Sequence, residues 1–297
     1  MIAELALGTA QFGLNYGITN QKGIISEKES LAILKLASIN GIKFIDTAQN
    51  YGSAEQILGK TFPKKKNFRV ISKIASLNLS PSTPNIDLWE KNFFLSLENL
   101  NLSKLDSYLL HDSFDFKRPY GKKLINWLIS LKKRNLINRI GVSIYNIEEL
   151  QHIPIDLIEI IQIPLSIYDQ RFINNGTLDN FRRKGVAVHI RSIFLQGLIL
   201  QNPNLWPSFL TDEFISHHMG FIEDIKNIGS TELVESLNFA LRLNIEAVIV
   251  GISSLNDLRN ILKTYNQLKN GKLNHMEDYL KYSWDNKEDL DPRLWKK

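Results

Sequence analysis

The chain has 297 residues, 43% hydrophobic and 23% charged, an ordinary globular composition and enough for one large domain or two small ones. Its net charge of +5 arises from 36 basic and 31 acidic residues. The cations are spread along the chain, with a solvated loop triplet at Lys64–Lys66 as the densest run, so the excess does not argue for nucleic acid. There is no cysteine, which excludes disulfides, thiol nucleophiles and thiolate metal sites. No basic n-region and apolar h-region open the chain, and no apolar run approaches the ~20 residues of a membrane span; the expectation is a cytoplasmic protein with neither membrane nor nucleic-acid partner.

In chain order, residues 3–9 (AELALGT) read as a short strand with an exit at Gly8-Thr9. Ser26 and Glu29 have the spacing of a capping box, and the apolar spacing from Leu31 is helical until Asn40-Gly41 ends it. An apolar strand then leads to Asp46. Further strands are expected at 69–74, 105–111, 139–144, 156–163, 185–190 and 246–252. Helices are expected after Ser53, at 86–101 (after breaks at Pro81 and Pro84), 122–135, briefly after Asn146, at 231–243, and after Ser254. Residues 193–230, with Pro203 and Pro207, read as a substrate loop. Trp284 and Trp295 predict that the charged tail 271–297 packs back on the body.

Eight strand candidates alternating with helices predict an α/β fold with a parallel sheet. The count and length match a (β/α)8 TIM barrel in a single domain over 1–297. An open doubly wound sheet is the rival, but the glycines after the first strand, Gly8 and Gly13, do not form G-x-G-x-x-G.

On the barrel reading, three successive strands end in ionisable side chains: Asp46, Lys73 and His111. Tyr51 follows Asp46 closely, and Gly52 releases the chain into a helix capped by Ser53. Each has a plain structural use alone, as a strand-end cap, amphipathic packing or a rim histidine. A lysine after an apolar strand is the least ordinary, because burying its ammonium demands a partner; Asp46 is the expected one. Together the four suit carbonyl chemistry. Lys73 would lower the high pKa of Tyr51, Asp46 would hold the lysine charged, and His111 would orient a carbonyl oxygen.

DTAQNYGSAE, the SK of VISKI, and LLH resemble the aspartate, tyrosine, lysine and histidine tetrad of the aldo/keto reductases. The likeness runs from LGTAQFG to the eighth unit. It implies a (β/α)8 barrel with NADPH or NADH across its rim, and Tyr51 as general acid with Asp46, Lys73 and His111 around it. Gly8, Thr9 and Ala10 match the first-strand loop near the cofactor. Ser143 and Gln162 match residues that hold the nicotinamide amide, while Ile144 stands where the family has asparagine. Arg191 stands where relatives carry an aromatic that stacks on nicotinamide. Its charge would disfavour the oxidised ring or attract an acidic substrate, unless it is spent on Asp169. Ser192, Leu195 and Gln196 match the loop over the pyrophosphate. Gly251, Ser253, Ser254 and Asp257 match the adenosine-phosphate segment, with a carboxylate where NADPH-specific relatives carry a cation. NAD and NADP are therefore expected to be used with relaxed preference.

The resemblance implies an oxidoreductase that reduces an aldehyde or ketone to an alcohol. FLQGLIL and YDQR resemble bacterial members linked to sugar metabolism, which suggests a sugar-derived small-molecule carbonyl. The rival is a regulatory protein on the same fold that binds cofactor and hardly turns over. Assembly as a homo-oligomer is left open. Adjacent His217-His218 lack a helical metal-ligand spacing, His189 inside a strand reads as structural, and neither a Walker loop nor a G-x-S-x-G elbow occurs.

Overall fold

The eight expected strands form, in order, one closed parallel barrel. The computed structural model describes residues 2–63, 68–75 and 86–295. The expectations for Lys64–Lys66, Pro81 and Pro84 lie outside these residues. The strands are β1 (Glu4–Gly8), β2 (Phe44–Asp46), β3 (Arg69–Ile74), β4 (Leu105–Leu110), β5 (Ile137–Ser143), β6 (Ile160–Pro164), β7 (Ala187–Arg191) and β8 (Ala247–Val250). Closure comes from β1 pairing with both β2 and β8.

Two cores follow from the two-residue period of a strand. Ala6, Phe44, Ile71, Leu109, Ile160, Ala247 and Ile249 fill the barrel, whereas Leu5, Leu7, Ile45, Val70, Leu110 and Val142 join the core under the helices. Two residues beyond the inner layer, on the same face of each strand, stand Gly8, Asp46, Lys73, His111, Gln162 and Gly251. On β5 and β7 the same step leads from Gly141 and His189 to Ser143 and Arg191, because Gly141 pairs with Ile160 and His189 with Ala247. Strand period alone thus delivers one candidate site residue from every strand to the C-terminal rim.

Several boundaries differ from expectation. Residues 156–163 are not one strand: Pro154 opens a 3-10 turn over Ile155–Leu157, and β6 starts at Ile160. In DLIEIIQI the polar residues Asp156, Glu159 and Gln162 fall every third position, so the run shows no two-residue alternation that could separate turn from strand. The brief helix after Asn146 is a 3-10 turn, Ile147–His152. Much of 193–230 is no loop: helix Asp212–Asn227 occupies it, with Thr211 accepting from the Phe214 amide. Ser26 accepts from the Glu29 amide, as in a capping box. Glu29 does not complete that box; its carboxylate accepts from the Leu255 amide, 226 residues away, at the start of helix Leu255–Lys269. Ser53 precedes helix Ala54–Thr61 but makes no side-chain cap.

The tail packs back as expected. The Trp284 indole donates to Asp289, which also accepts from the Thr211 amide and hydroxyl. Trp295 is buried and donates to the Glu288 carbonyl. Among the described residues no helix is long and apolar enough to cross a membrane.

Candidate active site

Lys73 is 1% exposed, and its ammonium donates to both Asp46 oxygens, at 2.8 and 2.7 Å, and to the Thr47 carbonyl at 3.0 Å. The expected ion pair is therefore formed and buried. Tyr51 lies half-buried beside it: the ammonium sits 5.1 Å from the ring centroid, and the His111 ring meets Tyr51 edge-on at 5.8 Å.

The loop that carries Tyr51 is fixed from two sides. Gln49 donates to the Asn92 carbonyl, Ser96 and Tyr108, and accepts from the Ala75 amide. On the other side the backbone packs against the turn after β1. A Cβ on Gly13 would lie 1.9 Å from the Tyr51 carbonyl, and Gly52 has φ +57° with the Gly13 carbonyl 2.3 Å from where its own Cβ would be. Only glycine allows that approach. Gln49 was missed in the sequence; its place inside the tyrosine loop was the available signal.

The electrostatics depart from expectation in one respect. Burial pushes the Tyr51 hydroxyl's pKa up, Asp46 pushes it further, and Arg191 rather than Lys73 opposes the shift. The lysine's charge is already balanced by the carboxylate 2.7 Å away. Burial draws the lysine below its ordinary value while Asp46 resists. Burial, then Lys73 and Arg191, lower His111 to about 3, so its imidazole is neutral at physiological pH. Its Nδ1 is buried without a hydrogen-bond partner among the described residues.

These groups open onto a cleft of about 620 Å³. Gly8, Thr9, Ala10, Ser143, Arg191, Ser192, Gln196, Gly251, Ser253 and Asp257 line it with Asp46, Tyr51 and His111. Gln162 lies fully buried behind this surface, donating to Asp46 at 2.5 Å and leaving its Oε1 without a partner among the described residues. Leu195 is buried and turned from the cleft, and Ser254 caps helix Leu255–Lys269 by accepting from the Asp257 amide. Gln196 ties the loop after β7 to the segment after β1: it accepts from the Ile18 amide, and its carbonyl accepts from Thr19. Ile144 is buried in the outer core, and Tyr145 faces the cleft instead.

Asp257 takes up a site expected to serve a phosphate. Its Oδ2 accepts from the Ser253 amide at 2.9 Å and hydroxyl at 2.8 Å. Burial raises its pKa, but the bonds from Ser253 and Ser254 outweigh this and hold it below the ordinary carboxylate range. Arg191 does not pair with Asp169, which is bound by Arg171 through two contacts of 2.8 Å. Instead Arg191 donates to the Ile144 carbonyl at 3.0 Å and lies 4.0 Å from the Tyr145 ring centroid. His189 donates to Glu246 at 2.7 Å inside the barrel, and His218 bonds Tyr168 and stacks on Trp206.

A parallel eight-stranded barrel with an acid–base cluster and a long cleft at its C-terminal rim is the architecture of a barrel enzyme. The chain belongs to the aldo/keto reductase family, which matches residues 4–280, and so to a family of oxidoreductases. It is 28% identical over 156 residues to D-arabinose 1-dehydrogenase of Saccharomyces cerevisiae, 50% of this chain and 44% of that one. The chain thus spans less than half the length of that curated relative. In fold it is similar to an aldo-keto reductase from Bacillus halodurans in its holo form (TM-score 0.70, 20% identity, 89% of this chain and 87% of that one). It is also similar to the glycerol dehydrogenase of Gluconobacter oxydans (TM-score 0.67, 18% identity, 91% and 90%).

Proposed function

We propose that the protein reduces an aldehyde or ketone to an alcohol with NADH or NADPH, Tyr51 being the general acid. The observation that carries this reading is the convergence of a half-buried tyrosine, a neutral histidine and a buried lysine–aspartate pair on one point of the rim. The residues present also fit a nicotinamide. Gln162 leaves a buried acceptor unpartnered close to Ser143, as an amide-binding pair would.

When bound, the reduced nicotinamide supplies hydride to the carbonyl carbon. Neutral His111 donates a hydrogen bond to the carbonyl oxygen and fixes its direction. Tyr51 passes its phenolic proton to that oxygen and regains one from solvent. The raised pKa keeps the phenol protonated until the oxygen becomes basic, and the Arg191 guanidinium, the cation that opposes the upward shift, then stabilises the phenolate. Asp46 keeps Lys73 in place and charged.

Asp257 supports NADH as a full partner. Its carboxylate already occupies the Ser253 donors and repels a 2′-phosphate, whereas a 2′-hydroxyl can donate to it. The name of the yeast relative supports a sugar-derived carbonyl as the first class to try. The test is a fluorescence titration with each reduced nucleotide followed by a panel of aldehydes and aldoses. NADH within several-fold of NADPH is expected, and a hundredfold NADPH preference would contradict the role given to Asp257. Tight binding with no turnover of any carbonyl would favour a regulatory protein instead.

A further inference from the structure

Five arginines are partly buried: Arg69, Arg118, Arg139, Arg171 and Arg191. The first four each have a carboxylate within 3.0 Å. Among the described residues no carboxylate lies within 4 Å of Arg191. A partly buried guanidinium without a counter-ion leaves its charge uncompensated, and this one stands on the wall of the cleft. Asp46 cannot serve it, being engaged by Lys73 through both oxygens. With Tyr51 and His111 neutral, the rim cluster of Asp46, Lys73 and Arg191 carries one uncompensated positive charge.

The charge is held in place. One Arg191 N–H is spent on the Ile144 carbonyl, and the guanidinium stacks on Tyr145. Arg293 lies 3.7 Å from the centroid of that same ring and is itself bound by Asp291. Two guanidiniums that close to one centroid must take opposite faces, so the tail braces Tyr145 from behind.

The position is as telling as the charge. The Ile144 carbonyl belongs to the residue after Ser143, and Arg191 pairs with Pro164, two residues beyond Gln162. Arg191 therefore reaches from β7 across the end of β6 to the residue that follows Ser143 on β5, beside both candidate amide-holding side chains. A nicotinamide held by Ser143 and Gln162 would lie against it. The oxidised ring carries a full positive charge and the reduced ring none, so a fixed cation at contact range separates the two states.

We propose that Arg191 selects the redox state of the cofactor, holding the reduced nicotinamide more tightly than the oxidised one. This rests on the nicotinamide reading above. Its consequence is fast release of the oxidised nucleotide, weak inhibition by it, and a poor start to the reverse reaction when that nucleotide is limiting.

The test is the dissociation constant of all four nucleotides, NADH, NADPH, NAD+ and NADP+, by calorimetry on the wild type, Arg191→Leu and Arg191→Lys. The wild type should bind the reduced form of its preferred nucleotide at least tenfold more tightly than the oxidised form. Arg191→Leu should shrink that ratio at least fivefold, chiefly by gaining affinity for the oxidised form, and Arg191→Lys should keep most of it. An equal ratio in wild type and Arg191→Leu overturns the inference and leaves the reductase reading standing. The same holds if the ratio is unchanged while Arg191→Leu selectively loses turnover of glyoxylate relative to a neutral aldehyde; the cation then serves an acidic substrate. Failure of the wild type to bind any of the four overturns both. Thermal melting of Arg191→Leu guards against reading an unfolded variant as a binding defect.

Discussion

At the scale of single residues, the proposed site keeps two groups neutral beside charged ones. His111 is the clearest case. Burial and the two neighbouring cations lower its pKa from 6.5 to about 3, so it stays a neutral hydrogen-bond donor throughout the usable range. The pH profile of kcat/KM should therefore show no limb near 6.5 that disappears in His111→Asn; a limb there that the substitution removes would mean the imidazole titrates in the free protein. Asp46, Lys73, Tyr51 and His111 were legible in the sequence because each stands at or just after a strand end, where side-chain chemistry and strand period can be read together. Their electrostatics were not legible. The expectation that Lys73 lowers the Tyr51 pKa ignored how completely a contact of 2.7 Å to Asp46 offsets the ammonium. Whether Arg191 is spent on Asp169 stayed open in the sequence, because nothing in one-dimensional spacing says that Arg171, two residues on, takes that carboxylate first.

At the scale of elements, what places Tyr51 is a contact between two turns rather than the tyrosine loop alone. Gly13, after β1, and Gly52 touch backbone to backbone. Gly13→Ala must push the Tyr51 loop outward, at a cost of about 1–3 kcal/mol for overpacking. The variant should melt lower than the wild type and lose kcat by tenfold or more, with cofactor affinity little changed. Retained kcat would show that Tyr51 does not depend on this contact. The strand order and the inward-facing layers were legible from alternation, and the capping serine at position 26 from its spacing. The ties between distant elements were not: Glu29 to Leu255, Gln162 to Asp46 and Gln196 to Ile18 each join residues more than a hundred positions apart. No local period encodes such pairs, and the turn before β6 and the helix inside 193–230 were misread because local pattern there did not separate the alternatives.

At the scale of the whole molecule, the two ends of the barrel divide the labour. The C-terminal rim holds the site, while the strand starts hold an ion network: Arg139 bridges Asp106 and Glu246, Arg69 also reaches Asp106, and His189 donates to Glu246 from inside. Burial would raise the pKa of Glu246, but His189 and Arg139 prevail and bring it from 4.5 to about 2. A carboxylate with a depressed folded-state pKa stabilises the fold above its unfolded value and loses that contribution as pH falls. Glu246 should thus support stability fully above about pH 4.5 and progressively less down to about pH 2. Denaturant melts of wild type and Glu246→Gln should differ by about 1–3 kcal/mol at neutral pH, the range for leaving a buried group unsatisfied, and converge in acid; a constant gap at all pH values would remove Glu246 from the account. The central claim is that this barrel delivers a proton from Tyr51 to a carbonyl oxygen. Its most direct test is a single-turnover measurement of NADH oxidation by an aldehyde in wild type and Tyr51→Phe, with NADH affinity measured on both. The account predicts unchanged affinity and a chemical step slowed by about 10²–10⁴-fold, the usual worth of a positioned general acid. Equal rates in the two proteins would contradict it and take the proton donor away from Tyr51.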